Sequence, residues 1–276
     1  MRVKSRRVGA GQHLGATTMT QLITRCAGAF VVVFAVLAGR PIQTASQAAR
    51  EIRIEVPDSP RPLAAAVRQV EEHFGRVVTY EDGSCVNPGD IDETDLVGKD
   101  EKTGRRVFGR RLDSITLVHR PAGESADAHV QEVLALLLEK WNGPSHSGEF
   151  RAQKVVGGFH VIPVARKGVG GTTEPYSSPL EARVTIAKEE RVFGETLSVL
   201  ARAVSDGSGR EVDIAARYPW RLDAVKVVLG AENQMAREVL WNALQATDRT
   251  LSWRLLCATG EDSTCTLNVY RVTPLE

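Results

Sequence analysis

The chain has 276 residues, of which 35 are Lys or Arg and 34 are Asp or Glu. Residues 1–48 hold six of the basic residues and no acidic residue, so residues 49–276 carry 29 basic and 34 acidic residues, a formal net charge of −5. Non-specific nucleic-acid binding needs a basic face that neutralises phosphates. The charge therefore argues against nucleic acid as a partner, and the length of 49–276 suits two small domains.

The first predicted element is a secretory signal peptide over residues 1–48. A basic lead precedes the apolar run CAGAFVVVFAVLAG (26–39), and the small residues TASQAA (44–49) offer a cleavage site. The run is shorter than the roughly 20 apolar residues that a membrane span requires. We expect export to the periplasm or the extracellular space, with no stable membrane span after cleavage. An uncleaved amino-terminal anchor is the alternative, and Met19 is an alternative start.

Residues 49–165 are predicted to form a first α+β module. Strands are assigned from alternating apolar residues and helices from apolar stripes at a spacing of three and four. In chain order, the predicted elements are a strand at 51–56, a helix at 63–75, strands at 76–82 and 114–120, a helix at 125–143, and strands at 150–156 and 159–165.

A long polar insert at 83–113 interrupts this module and is predicted to be a loop that determines partner specificity. Its acidic string DIDETD (90–95) lacks the pattern of a calcium-binding loop, so we interpret it as solvated. The string GRRVFGRR (104–111) either pairs with these acids or contacts an anionic partner. Its arginines are a candidate contact surface: Arg105, Arg106, Arg110 and Arg111.

A second module is predicted at 181–276, after a Gly-, Pro-, Ser- and Thr-rich linker at 166–180. Its predicted elements are a strand at 182–187, a helix at 194–209, strands at 210–216 and 224–231, a helix at 234–248, and a closing hairpin. Both halves therefore have the order βαββαββ. The predicted fold class is α+β, with two tandem βαββαββ modules that each have small mixed sheets and two helices.

Two cysteines lie on the predicted arms of the closing hairpin, Cys257 at the end of LSWRLLC and Cys265 at the start of CTLNVYRV. Pairing of the arms brings the thiols within disulfide reach, and an oxidising compartment favours the bond. Two reduced, packed cysteines are the alternative. Cys85 has no evident mate and is predicted to be a free or intermolecular thiol.

These patterns resemble the short amino-terminal domain shared by secretins and TonB-dependent receptors (STN-like). The segment SPRPLAAAVRQVEEHFGRVVTYED (59–82) resembles the first half of that domain, and VVLGAENQMAREVLWNALQATDRTLSWRLL (227–256) resembles its second half. The resemblance covers most of 51–165 and 182–272. No barrel-forming or ring-forming sequence follows, so the resemblance implies the fold and a tendency to contact other proteins, not channel or receptor function.

The sequence predicts no catalytic residue, cofactor site or metal site, because it lacks helical histidine pairs, CxxC and GxSxG patterns. We therefore expect a non-enzymatic adaptor of the cell envelope that binds an envelope protein, or itself, through edge strands. The alternative is a small-ligand or cell-wall glycan binder that uses Tyr218 and Trp220 between the modules. A third hypothesis, an exported hydrolase, requires His146 or His160 beside a carboxylate and a serine.

Overall fold

The computed structural model describes residues 51–99, 104, 106–120, 125–143, 146, 148–215, 222, 224–260 and 264–274. The predicted signal peptide lies outside these residues, as do Arg105, Tyr218 and Trp220. Within these ranges, no helix is both long enough and apolar enough to cross a bilayer.

The described chain alternates strands and helices, which confirms the α+β class. The first half contains β1 (Ile52–Ser59), α1 (Pro62–Phe74), β2 (Val77–Glu81), β3 (Ile91–Lys99), β4 (Arg106–Arg110), β5 (Asp113–His119), α2 (Ala126–Trp141), β6 (Gly148–Val155) and β7 (Gly158–Lys167). The second half contains β8 (Thr173–Pro175), β9 (Arg183–Val192), α3 (Phe193–Ser208), β10 (Val212–Ile214), β11 (Lys226–Met235), α4 (Ala236–Gln245), β12 (Leu251–Cys257) and β13 (Cys265–Arg271).

One seven-stranded sheet includes strands from both halves of the chain. Its order is β10-β13-β12-β2-β7-β6, and β8 pairs with β7 beside this path. The halves meet where β12 and β2 run parallel, with Arg254 opposite Tyr80 and Leu255 opposite Glu81. The predicted linker at 166–180 contains β8 and the buried side chains of Tyr176 and Leu180.

The strand pairings of the first half recur in the second. A two-stranded antiparallel sheet joins β1 to β5 in the first half and β9 to β11 in the second. The short strand after the first helix is parallel to the last strand, β2 to β7 and β10 to β13. The final two strands pair antiparallel, β6 with β7 and β12 with β13.

The insert at 83–113, predicted to be a loop, includes two regular strands. It contains an antiparallel ribbon in which β3 pairs with β4, Ile91 opposite Arg110 and Lys99 opposite Arg106. The acidic string and the arginine string are therefore neighbouring strands. The hydroxyl of Thr259 donates a hydrogen bond of 2.6 Å to the carbonyl oxygen of Phe108, which ties the ribbon to the β12–β13 hairpin.

Two hydrophobic cores lie on opposite faces of the large sheet. One contains buried residues of α1, α2, β1 and β7, and the other contains those of α3, α4, β9 and β13. Alternation along β2 shows the division, since side chains of successive strand residues point to opposite faces. Val78 and Tyr80 belong to the first core, whereas Glu81 contacts Arg237 of α4. Each half therefore covers its own face of a shared sheet.

Cys257 and Cys265 form a disulfide, as the sequence predicted. The two residues lie directly opposite each other on β12 and β13 and are fully buried. The bond closes the terminal hairpin, whose strand β12 joins the halves of the sheet.

Removal of this disulfide is expected to lower the free energy of unfolding by about 2–3 kcal/mol, because a loop of this length restricts the unfolded chain only moderately. The Cys257→Ser, Cys265→Ser double variant and the parent are compared by urea denaturation without reductant. Cys85→Ser in the parent is the control for loss of a buried thiol. Equal midpoints for the parent and the double variant would contradict the prediction.

Candidate functional site

Strand β6 forms one outer edge of the large sheet, and a side-chain amide already pairs with part of it. Asn142 follows α2 directly. Its side-chain amide donates a hydrogen bond of 2.8 Å to the carbonyl oxygen of Phe150 and accepts one of 2.9 Å from the Phe150 N–H. A peptide group of an adjacent strand makes the same two kinds of bond. Phe150 therefore directs its backbone groups away from β7, toward the outside of the sheet.

The next outward-directed positions on this edge are Ala152 and Lys154. Val155 and Gly158 flank a two-residue turn, so they form a hydrogen-bonded pair. Along an antiparallel strand, residues that bond the neighbouring strand alternate with residues that do not. The backbone groups of Ala152 and Lys154 then face outward, as those of Phe150 do. Both residues are exposed, and β6 pairs only with β7 among the described strands.

Strand β10 is the opposite edge of the sheet. The Ala215 N–H donates to the carbonyl oxygen of Leu267, and the Cys265 N–H donates to the carbonyl oxygen of Glu211. The odd-numbered residues of this segment therefore direct their backbone groups toward β13. The backbone groups of Val212 and Ile214 consequently point away from the sheet. The hydroxyl of Ser205 in α3 accepts the Val212 N–H at 2.9 Å, which leaves a short edge centred on Ile214.

Arg110, one of the predicted contact residues, is directed into the protein. Asp82 at the end of β2 is fully buried, and its Oδ2 accepts from Arg61 Nε at 2.9 Å, Arg110 Nη2 at 3.0 Å and the Cys257 N–H at 3.1 Å. Its Oδ1 accepts from the Tyr80 hydroxyl at 2.9 Å. The cluster links α1, β2, β4 and β12, so the guanidinium of Arg110 holds the ribbon to the junction of the halves.

A second buried ion pair crosses the junction on the other face. Arg237 of α4 donates from Nε and Nη2 to the carboxylate of Glu81, at 2.5 and 2.8 Å. Both side chains are nearly inaccessible to solvent. Bidentate geometry of this kind is the strongest form of the arginine–carboxylate interaction.

Two further titratable groups are buried near the junction. Burial raises the pKa of the Glu71 carboxyl, although hydrogen bonds from Ser252, Val78 and Tyr270 oppose the shift. Burial is the main cause, and the positive charge of Arg237 the second, of a pKa of His160 lowered to about 4. His160 is therefore neutral near pH 7.

His160 lies between the two halves. Its Nδ1 lies 2.7 Å from the Thr79 hydroxyl on β2. The ring packs against Trp241 of α4 and Trp253 of β12, each with a centroid separation of 5.1 Å.

Three of the six predicted contact residues lie within the described part of the chain. Arg106 and Arg111 are exposed on and after β4, whereas Arg110 is largely buried. Arg105, Tyr218 and Trp220 lie outside the described residues.

Among the residues required by the hydrolase hypothesis, His146 Nε2 lies 3.2 Å from Asp113 Oδ2. Ser145 lies outside the described residues. The described part of the chain contains no group of three or more His, Cys, Asp or Glu that could hold a metal ion. Cys85 is buried, and burial raises the pKa of its thiol, which therefore remains protonated near pH 7.

The residues that define the edge and the junction, Asn142 and Asp82, could not be identified as such from the sequence. Asn142 fell within the helix predicted at 125–143, and Asp82 was the last residue of the strand predicted at 76–82. An acidic residue directly after a buried strand was the available signal for Asp82. Its partners are separated from it along the chain by as many as 175 residues, so no local pattern could identify them.

Comparison with known proteins adds no relative: no family model matches the chain, and neither a curated protein nor a solved structure matches it significantly.

Proposed function

We propose that this chain is an exported, non-enzymatic adaptor of the cell envelope, built from two STN-like modules, that binds an envelope protein by strand addition to β6. The bidentate pairing of the Asn142 amide with the backbone of Phe150 carries the proposal. At that point the edge already bonds an amide group in the manner of a neighbouring strand. Export follows from the signal-peptide pattern of 1–48.

Strand addition derives its affinity from backbone hydrogen bonds and its selectivity from alternate side chains. Ala152 and Lys154 present outward backbone groups, so an added strand would extend the ladder that Asn142 begins. Exposed Arg151 and Lys154 discourage indiscriminate pairing, because charged side chains on an edge disfavour apolar partner strands. The favoured partner strand carries acidic or polar residues at the facing positions.

A second copy of the chain is another partner that fits this edge. In the first half Glu71 accepts the N–H of Val78, and in the second half Ser205 accepts the N–H of Val212. The correspondence supports β10 as the counterpart of β2, and the strand order supports β6 as the counterpart of β12. Pairing of β6 with β10 of another copy would therefore repeat the β12–β2 junction.

The test compares two substitutions at Ala152. Ala152→Pro removes the outward N–H without removing a bond to β7, and Ala152→Val adds bulk but retains the N–H. Crosslinked affinity capture from the envelope fraction, and light scattering of the purified protein, measure partner binding and self-association. We expect Ala152→Pro to reduce capture or self-association at least tenfold, and Ala152→Val to leave both largely unchanged.

Equal capture and equal self-association by the two variants would contradict strand addition at β6. A partner captured equally by both would instead use another surface, such as the ribbon with exposed Arg106. The urea midpoint of each variant is measured first, so that a loss of folding is not mistaken for a loss of binding.

A further inference from the structure

Strand β10 can be aligned with β2 residue by residue. Each strand follows a helix that ends at a glycine in the left-handed conformation, and a side chain of that helix accepts the N–H of one valine, Val78 or Val212. Two residues further on, Tyr80 corresponds to Ile214. Tyr80 lies opposite Arg254 of β12 at the junction of the halves. Ile214 therefore occupies the position at which a strand equivalent to β12 would pair.

Strand β6 can be aligned with β12 in the same way. The residues opposite these two valines, each with its own hairpin partner, are Phe159 with Lys154 in the first half and Cys265 with Cys257 in the second. Lys154 therefore corresponds to Cys257, and Arg151, three residues earlier, corresponds to Arg254. Arg151 is exposed on the β6 edge. The two edges of the sheet thus carry counterparts of the two sides of the β12–β2 junction.

The side chain of Arg254 crosses the junction and lies against α1. Its guanidinium donates a hydrogen bond to the carbonyl oxygen of Ala64 and lies 3.5 Å from the carboxylate of Glu71. Only 9% of the side chain is exposed. The helix alignment that matches Glu71 with Ser205 also matches Ala64 with Ser198. An arginine of one half is therefore buried against the first helix of the other half.

An open groove of about 780 Å³ lies at the corresponding place beside α3. Ser198 and Ser205 of α3 and Ile214 of β10 line it. Its charged lining consists of three acidic and two basic residues: Asp206, Glu211, Asp213, Arg202 and Arg210. One negative charge is in excess, which suits an inserted guanidinium. Arg202 has a counterpart in Arg68 of α1, so an arginine at this position is compatible with the insertion.

We infer that the partner at the β6 edge is a second copy of this chain, whose β10 pairs parallel with β6 while Arg151 enters the groove beside α3. The inference rests on the strand addition proposed at β6 and names its partner. The register of the β12–β2 junction then sets Arg151 opposite Ile214 and Ala152 opposite Ala215. The groove and the exposed arginine are the two halves of one contact.

Pairing of β6 with β10 in this way produces an open chain of copies. Within one chain the halves are related by a half-turn, because β12 is parallel to β2 whereas its counterpart β6 runs antiparallel to β2. A second junction of the same kind adds another half-turn. The next copy therefore has the orientation of the first and is displaced by the six strands of the sheet path, about 29 Å. A heterologous contact without a closing rotation builds a filament, not a ring.

The test compares the purified parent with Ala152→Pro and Ile214→Pro by sedimentation equilibrium. Each proline removes an outward N–H from one edge without removing a bond to the neighbouring strand. We expect the mass of the parent to rise with concentration without a limiting value, and self-association of each variant alone to be weaker by about tenfold or more. An equimolar mixture is expected to form a dimer that grows no further, because one intact β6 edge meets one intact β10 edge.

Arg151→Glu tests the groove separately, because it leaves every backbone group of the edge in place. Self-association is expected to weaken about tenfold. Arg53→Glu is the matched control, since Arg53 is exposed on β1, which belongs to neither edge of the large sheet. Ile214→Ala controls for the side chain that Ile214→Pro removes. The urea midpoint of every variant is measured first, so that a loss of folding is not counted as a loss of association.

The inference is overturned if the parent remains monomeric, if it stops at a closed oligomer, if the mixture does not dimerise, or if both charge variants associate equally. Dimerisation of Ile214→Pro alone would show that β6 pairs with itself, and would also overturn it. Its failure is distinguishable from failure of the proposed function. A monomeric parent whose capture of an envelope protein is reduced by Ala152→Pro retains strand addition at β6 with a different partner.

Discussion

Replacement of Asp82 by Asn is expected to lower the free energy of unfolding by about 3–5 kcal/mol, because it leaves two largely buried guanidinium groups without their counter-charge. The neutral amide has nearly the same shape but cannot compensate the charges of Arg61 and Arg110. If its NH₂ group takes the place of Oδ2, it faces the Cys257 N–H donor, and if it takes the place of Oδ1, the Tyr80 hydroxyl must accept a hydrogen bond where it now donates one. Urea denaturation followed by circular dichroism measures the loss.

Asp127→Asn is the matched control for this prediction. Asp127 also has two cationic partners, Arg76 at 3.2 Å and Lys154 at 3.5 Å, but its side chain is 43% exposed. Exposed pairs contribute about 0–1 kcal/mol, and the position of Asp127 in the first turn of α2 adds a similarly small amount. A loss in Asp82→Asn no larger than that in the control would show that the buried cluster contributes little to stability.

Acidification from pH 7 to about pH 4 is expected to remove about 3 kcal/mol of stability through His160 alone. The folded-state pKa is about 4, below the ordinary value of 6.5, because burial and Arg237 disfavour the imidazolium ion. Between these values the unfolded chain binds a proton that the folded chain does not. Stability is therefore fully present above about pH 6.5 and falls as the pH approaches 4.

The His160→Gln variant isolates this contribution, because glutamine does not titrate and can still bond the Thr79 hydroxyl. The free energy of unfolding of both proteins is measured at several pH values between 4 and 7.5. Glu71 acts in the opposite direction, since a raised pKa stabilises the folded state as the pH falls, but it is present in both proteins. Parallel pH profiles for parent and variant would contradict the prediction.

Local periodicity was sufficient to predict the helices, the main strands and the disulfide. The apolar residues of α4, for example, form one face only if the segment is helical, whichever surface that face packs against. Alternation along β12 and β13 predicted that both cysteines lie on one buried face of the hairpin. The α+β class follows from such elements. The predicted modules, linker and signal peptide stay predictions.

Long-range pairing could not be predicted from these patterns. The parallel contact of β12 with β2 depends on backbone groups that every strand presents, so composition does not encode it. The β3–β4 ribbon was missed because exposed strands in a charged segment lack the apolar alternation that identifies a buried strand. The sequence GRRVFGRR showed four arginines, but only the fold distinguishes Arg110, bound to Asp82, from the exposed Arg106.

The β12–β2 junction also imposes an order on biosynthesis. Ser252 of β12 bonds the carbonyl oxygen of Val78 across 174 residues of chain. At a synthesis rate of about 5–20 residues per second, β2 precedes its neighbour by about 10–35 s. During that interval the nascent chain exposes an unpaired strand edge and leaves the carboxylate of Asp82 without its Cys257 contact.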